Sequence, residues 1–304
     1  MDPDAPLRPA GWGPALLDLS RVRQALLSVA QPALGALLAL GRLPMLRVMA
    51  LGLLAACAGY LAVFSLNDVL DRRADRDAID AMGTGDAGFD LDTVAVRHPL
   101  ARGVIPLWAS VAWVGALAAL SAVCALLLAP ACLLLFLAAV MLEVAYCLLR
   151  SVTWTKTIVS GVMVGVGGLA GWVAVAPLTL RAAAFFAFLA LWEIAGRNLP
   201  NDLADLATDA PTGIRTVATV LGPAASARGI VLGTGATLLA VPALGMPLAA
   251  TALALTIAVW AMGVRGLGLL REPTAVRAAA YFNRASLLPA LVFTVALAAV
   301  LVGR

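Results

Sequence analysis

Residues 45–75 read MLRVMALGLLAACAGYLAVFSLNDVLDRRAD: an apolar run, Met45 to Leu66, interrupted by one charge and closed by a carboxylate cluster. Residues 183–209, AAFFAFLALWEIAGRNLPNDLADLATD, follow the same plan. The polar ends match residue for residue. Asn67, Asp68, Asp71 and Asp75 make the pattern N-D-x-x-D-x-x-x-D, and Asn201, Asp202, Asp205 and Asp209 make it again. An apolar run of about 20 residues is the length a helix needs to cross a bilayer. Each stretch therefore reads as a membrane-spanning helix that ends in acid.

The rest of the chain agrees. Of 304 residues, 62% are apolar and only 12% charged, against about 25% charged in an average soluble domain. The mean hydropathy is +0.98. A water-soluble globule also needs a polar skin, so these numbers describe an all-α integral membrane protein. Nine spans are expected, near Gln24–Leu40, Met45–Leu66, Val104–Ala129, Ala131–Leu149, Thr157–Ala176, Ala183–Leu199, Gly229–Leu244, Leu248–Val264 and Ala285–Val302. They make one domain over residues 1–304, with an amino-terminal segment (1–23) and motif loops over 67–103 and 200–228. In that first segment Trp12, Leu16, Leu17 and Leu19 suggest a short piece resting on the membrane surface, and no cleavable signal is evident.

Charge placement tests the count. With nine spans, 17 of the 21 basic residues share a side with the amino terminus; only Arg42, Arg47, Arg181 and Arg304 fall opposite. By the positive-inside rule the crowded side is cytoplasmic, which places the chain in an inner (plasma) membrane, taken here as bacterial. The basic residues lie between apolar segments and serve orientation, so nucleic acid is not an expected partner. Every carboxylate outside a span lies on the same side, which orientation alone does not require.

The motif spacing carries chemistry. On a continuous helix Asn67, Asp71 and Asp75 fall at i, i+4 and i+8, and Asp202, Asp205 and Asp209 at i, i+3 and i+7. Carboxylates so clustered repel one another unless a cation lies between them. Oxygen ligands without thiolate or several histidines point to Mg2+, which takes carboxylates together with waters and substrate phosphates. Two such faces opposed across a bundle would hold metal on a diphosphate. The copies lie four spans apart and share orientation, which suggests a parallel repeat of four helices plus a ninth.

Cations surround the motifs. Arg97 and Arg102 flank His98, Arg150 and Lys156 (the one lysine) flank the fourth-to-fifth junction, and Arg197 and Arg215 bracket the second motif. Glu143, Tyr146 and Arg150 share a helix face, and Glu193 lies one turn before Arg197, in reach of an ion pair. Gly161, Gly165, Gly167, Gly168 and Gly171 give the fifth span a small-residue face for close packing. Cys57, Cys124, Cys132 and Cys147 sit in apolar stretches and read as packing thiols.

Paired motifs of this kind on nine helices resemble the UbiA superfamily of membrane prenyltransferases. Further likeness comes from Gly213-Ile214-Arg215-Thr216 with Gly222, from Arg97 to Ile105 (an R-P-L-x-x-G-x-I loop in the family) and from Tyr146 to Arg150 (Y-S-x-x-L-K-R). The resemblance implies that Asn67, Asp68, Asp71, Asp75, Asp202, Asp205 and Asp209 hold Mg2+ on an isoprenyl diphosphate. Arg97, Arg102, Arg150, Lys156, Arg197 and Arg215 would contact the diphosphate, with Asp71, Asp205, Lys156 and Tyr146 closest to the chemistry. The prenyl tail would lie in an apolar channel open to membrane lipid. Ionisation would give an allylic cation, captured by a lipid-soluble or aromatic acceptor.

The chain departs from the pattern where His98 interrupts the Arg-Pro step, where Cys147 and Arg150 replace Ser and Lys, and in the long loop from Ala78 to Val96. His98 reads as a water-exposed loop residue more readily than as a base. Two other functions share parts of the pattern: a terpene cyclase of the same superfamily would use the same metal site, and a transporter would use the repeat for alternating access.

Overall fold

A polar backbone group inside a bilayer must find its partner within its own segment, which leaves helices as the only open-chain way across. The computed structural model, describing residues 11–82 and 98–303, obeys this: among the described residues every regular element is a helix. Nine are long and apolar enough to cross a membrane: Val22–Leu40, Leu46–Asp77, Leu107–Leu128, Pro130–Leu149, Lys156–Val173, Leu180–Ala204, Pro223–Leu244, Leu248–Arg271 and Ala275–Val302. We number these spans one to nine.

All nine expected spans are present, and several run further at the motif end than hydropathy alone predicts. The second continues to Met82, the sixth to Ala204 and the eighth to Arg271. The first motif, assigned to a loop on polarity, is therefore helical throughout. The helix tolerates these polar residues: Asp68 and Arg72, Arg72 and Asp75, and Arg73 and Asp77 place opposite charges at i, i+3 or i, i+4, and Asp71, one turn from the like-charged Asp75, meets Arg150 of another element.

Outward-facing side chains are apolar. Leu180, Leu239 and Leu248 are 88%, 81% and 86% exposed, a surface that only lipid can cover. The core runs instead through the sixth span, whose Phe185, Phe188, Leu189 and Trp192 are almost wholly buried against Leu34, Met262, Tyr281 and Leu288 from the first, eighth and ninth spans. Trp172 stacks near Phe185 at 6.1 Å. Away from the motifs, the Arg181 guanidinium donates to the carbonyls of Leu38 (3.2 Å) and Leu244 (3.0 Å), tying the amino end of the sixth span to the carboxyl ends of the first and seventh, whose last carbonyls have no helical partner.

The amino-terminal segment docks one side of itself on the bundle. Trp12–Leu19 is a helix with Ala15, Asp18 and Leu19 buried. Trp12 meets Trp108 edge-on at 5.6 Å, and Ser20 bonds Ser65 at 2.9 Å and accepts from Trp113 Nε1 at 2.9 Å. Ala15 and Leu19 face the bundle while Trp12 and Leu17 stay largely exposed, and this docking carries Arg21 and Gln24 to the site described below.

The glycine face of the fifth span packs as expected. A Cβ on Gly171 would lie 1.8 Å from the Pro32 carbonyl oxygen of the first span, and one on Gly168 would meet Leu189 Cδ1 at 2.1 Å. The first contact is with backbone and cannot be relieved by a rotamer change. Gly171→Ala is expected to cost about 1–3 kcal/mol, the usual penalty for overpacking, seen as a lower melting temperature in detergent. Gly235→Ala, whose added carbon meets nothing within 4 Å, should leave it unchanged.

Candidate active site

The first motif presents a row of side chains, each already facing a group from another element. The Asn67 amide donates to Glu143 Oε1 at 2.8 Å and to Cys147 Sγ at 3.4 Å. Arg21 reaches Asp68 Oδ1 at 2.8 Å and Asn67 Oδ1 at 3.3 Å. Arg150 lies 2.5 Å from Asp71, and His98 Nδ1 lies 3.2 Å from Asp75 Oδ2. Glu143 and Asp68 are 3% and 4% exposed, so these partners are what keep the polar groups satisfied in a low-dielectric wall.

The second motif is prepared differently. The sixth span widens to a π-helix over Glu193–Asn198 before resuming α geometry through Leu199–Ala204, a distortion often found at functional sites. Asp205 then leaves the helical region, at φ −91° and ψ 9°, before a last turn over Leu206–Asp209. The uninterrupted face expected for Asp202, Asp205 and Asp209 is thus bent at its middle residue. Asn201 Nδ2 steadies Asp205 at 3.0 Å. Lys156 Nζ lies 3.5 Å from Asp202 Oδ1 and donates to Tyr146 Oη at 3.0 Å, and Asn198 Nδ2 donates to the same hydroxyl at 3.1 Å.

Both motifs line one cavity of about 890 Å³. Asn67, Asp68, Asp71, Asp75, Asn201, Asp202, Asp205 and Asp209 all border it, as do Arg102, Tyr146, Arg150, Lys156 and Arg197. Arg150 stands between the motifs, its charge acting on Asp71, Asp75 and Asp209 together. Elsewhere the wall is apolar, with Leu53, Ala56, Val63, Leu128 and Phe136 among its residues.

One of the expected diphosphate contacts, Arg215, is not brought here. Arg215 is exposed and lies outside the cavity lining; its backbone N–H donates to the Arg150 carbonyl at 2.8 Å, which makes it a scaffold for the arginine that does line the site. Arg97 lies outside the described residues, as do residues 83–96. Arg197 borders the cavity but is engaged by Glu193 at 3.4 Å and by Gln24, with Phe64, Trp192 and Phe282 rings about it.

Sequence reasoning also missed residues. His98, read as water-exposed, faces the first motif because the turn that follows it is packed down. Arg21, read as an orientation signal, lies on Asp68. Asn198 and Ser160 carried no motif, and only their neighbourhood in space reveals them. Cys147, read as packing, also touches Asn67 and Glu143, while Cys124 and Cys132 are buried and Cys57 half-buried.

The carboxylates suit a divalent cation. Asp202 borders the cavity, and its Oδ2 is buried with no hydrogen-bond partner from the protein, an acceptor left for a cation. Burial, then the nearby Asp205 and Asp202 carboxylates, pushes Asp209 up to about 7, as expected where like charges face one another with too little cation between them. Oxygen-rich, partly buried and in excess of monovalent cations, the second motif has the donor set of a Mg2+ site.

Residues 28–301 match the UbiA prenyltransferase family. The chain belongs to that family. The fold agrees with solved UbiA structures. One is the apo structure of a UbiA homolog from Aeropyrum pernix K1, with TM-score 0.72 and 20% identity, covering 93% of this chain and 98% of that one. Another is a UbiA homolog from Archaeoglobus fulgidus bound to DMAPP and Mg2+, with TM-score 0.69 and 17% identity, covering 94% and 99%. A third is a digeranylgeranylglyceryl phosphate synthase, with TM-score 0.61 and 19% identity, covering 95% and 96%. No curated protein sequence matches the chain. Membership of the family makes this UbiA chain an integral membrane enzyme of the prenyltransferase class.

Proposed function

We propose that this protein ionises an isoprenyl diphosphate with the help of Mg2+ and transfers the prenyl group to a lipid-soluble, aromatic acceptor. The observation that carries the reading is that two identical acidic motifs, more than 130 residues apart in sequence, border the same cavity whose remaining wall is apolar. A diphosphate with a hydrocarbon tail has that division of polarity. The Archaeoglobus homologue's complex with DMAPP and Mg2+ supports the assignment of ligand and ion.

In this reading Asp68, Asp71 and Asp75 on one side and Asp202, Asp205 and Asp209 on the other hold the ions, with Asn67 and Asn201 orienting neighbouring carboxylates. When bound, Mg2+ neutralises charge on the diphosphate and makes it a better leaving group. Arg150 and Lys156 now pair with Asp71 and Asp202. With a divalent ion on those carboxylates they are free to turn to phosphate oxygens, stabilising charge that grows as the diphosphate leaves. Arg102 adds to that set. The allylic C–O bond breaks with its electron pair on the diphosphate. The prenyl carbon then bonds to the acceptor, which loses a proton. Tyr146, held by Lys156 and Asn198, presents its ring beside this region and suits a cation passing over it. Glu193 with Ser160 (3.1 Å) and Gln31 with Tyr60 (2.7 Å) line the same cavity and offer the acceptor's polar end its contacts. The motif end faces the cytoplasm, by the distribution of arginines.

Product analysis by mass spectrometry tests this against both alternatives. A panel of prenyl diphosphates with Mg2+ and aromatic, lipid-soluble acceptors should give prenylated acceptor and free diphosphate. A cyclic hydrocarbon or terpene alcohol formed without acceptor would replace the transferase with a cyclase at the same site. Transport of unaltered diphosphate into vesicles, with no bond broken, would overturn the enzymatic reading.

A further inference from the structure

The turn over residues 98–103 is held by several hydrogen bonds. His98 has φ 52°, in the left-handed region that histidine enters more often than most residues but seldom without support. The support is here: Arg102 N–H donates to the His98 carbonyl at 3.1 Å, Gly103 N–H to Leu100 at 3.1 Å and Val104 N–H to Pro99 at 2.9 Å. Leu100 and Ala101 are buried, and Arg76 Nε of the second span holds the Ala101 carbonyl at 3.3 Å. This turn sets the imidazole against the first motif.

Nδ1 of His98 lies 3.2 Å from Asp75 Oδ2 and 4.0 Å from Asp68 Oδ2, and one ligand atom from each of the three residues falls within a 4.8 Å cluster. Nδ1 is sealed from solvent, yet its approach to Asp75 lacks hydrogen-bond geometry. Arg21 engages the other oxygen of Asp68, Oδ1, so Oδ2 remains on the histidine's side. Metal–ligand bonds of about 2.1 Å put neighbouring ligands about 3 Å apart and opposite ones about 4 Å apart. The observed spacings are of that size.

We propose that His98 is a nitrogen ligand and that, with Asp68 and Asp75, it makes the first motif a mixed nitrogen–oxygen site that prefers Mn2+ to Mg2+, beside an all-oxygen second motif suited to Mg2+. Imidazole favours first-row transition ions, whereas Mg2+ favours carboxylate and water. The inference rests on the reading of the motif carboxylates as metal ligands. In the sequence His98 stands between Arg97 and Pro99, interrupting the Arg-Pro step of the pattern this loop resembles.

Full-length protein in lipid nanodiscs, given Mn2+ and inorganic pyrophosphate, should show 14N modulation in the electron spin echo of the bound Mn2+. His98→Ala, and His98→Gln where the smaller residue unfolds the chain, should abolish the modulation. Either should also lower the Mn2+-over-Mg2+ binding preference by at least the roughly tenfold that losing even an outer-shell partner of a metal costs. Bound Mn2+ without nitrogen modulation, or modulation unchanged in the variants, would overturn the proposal and leave His98 an ion-pair partner of Asp75, with the carboxylate site intact. Wild-type protein that binds no Mn2+ under these conditions would overturn the carboxylate reading along with it.

Discussion

Asp71→Ala and Asp205→Ala should each reduce diphosphate release by at least about a thousandfold, while the protein stays monodisperse in detergent. Losing one preorganised group that stabilises developing charge commonly costs a hundred- to a thousandfold, and a lost metal ligand costs the ion's charge as well. The two positions make a fair pair because they belong to different motifs and different helices. Asp71 faces Arg150 at 2.5 Å, and Asp205 is steadied by Asn201 at 3.0 Å. Neither variant strands a buried cation. After Asp71→Ala, Arg150 still acts on Asp75 and Asp209, and Asp205→Ala relieves the repulsion that contributes to Asp209's raised pKa. Folding should therefore survive where chemistry does not. Pyrophosphate release by a coupled assay, beside size-exclusion profiles, separates the two effects. Normal turnover in both variants would refute a metal site built from these motifs.

The sequence made the site legible to different degrees along the chain, for identifiable reasons. Spans were readable because a bilayer demands an apolar run of fixed length, a constraint that neighbours cannot override. The motif carboxylates were readable because they repeat. Helix ends were less so: the second span continues to Met82 since charged side chains at helical spacing continue a helix as readily as they end one. The two copies also differ in backbone, and nothing in N-D-x-x-D-x-x-x-D announces the π-turn at Glu193–Asn198 or the bend at Asp205. The signal for the first lay outside the motif, in Pro200, which has no N–H to continue the α-helical bonding just after the π-turn. Arg21 and His98 were invisible for another reason. Each owes its place to a short segment packed onto the bundle, Trp12–Leu19 in one case and residues 98–103 in the other, and a lone arginine or histidine in a loop carries no periodic signal. Arg215 is the reverse case: it sits inside a matching motif, its side chain lies outside the cavity lining, and its backbone N–H meets the Arg150 carbonyl.

Lys156→Met should remove most of the activity and, unlike the aspartate variants, should make stability depend strongly on Mg2+. Lys156 is 4% exposed, 3.5 Å from Asp202, 3.0 Å from the Tyr146 hydroxyl and 4.6 Å above that ring's centroid. Asp202 is equally buried and its second oxygen has no partner. Removing the ammonium therefore leaves a carboxylate in a low-dielectric wall with nothing to balance it, which typically costs about 3–5 kcal/mol. A divalent ion at the second motif supplies the missing charge. Melting temperatures in detergent should show a larger Mg2+-induced rise for Lys156→Met than for wild type, whose lysine already pairs with Asp202. The double variant Lys156→Met/Asp202→Asn separates stability from chemistry: with the charge and its counter-charge both gone, the metal-free protein should regain most of its stability and still not turn over. If Lys156→Met melted as wild type does without Mg2+ and gained no more from the ion, Asp202 would not belong to the metal site, and the second motif would have to hold its ion through Asp205 and Asp209 alone.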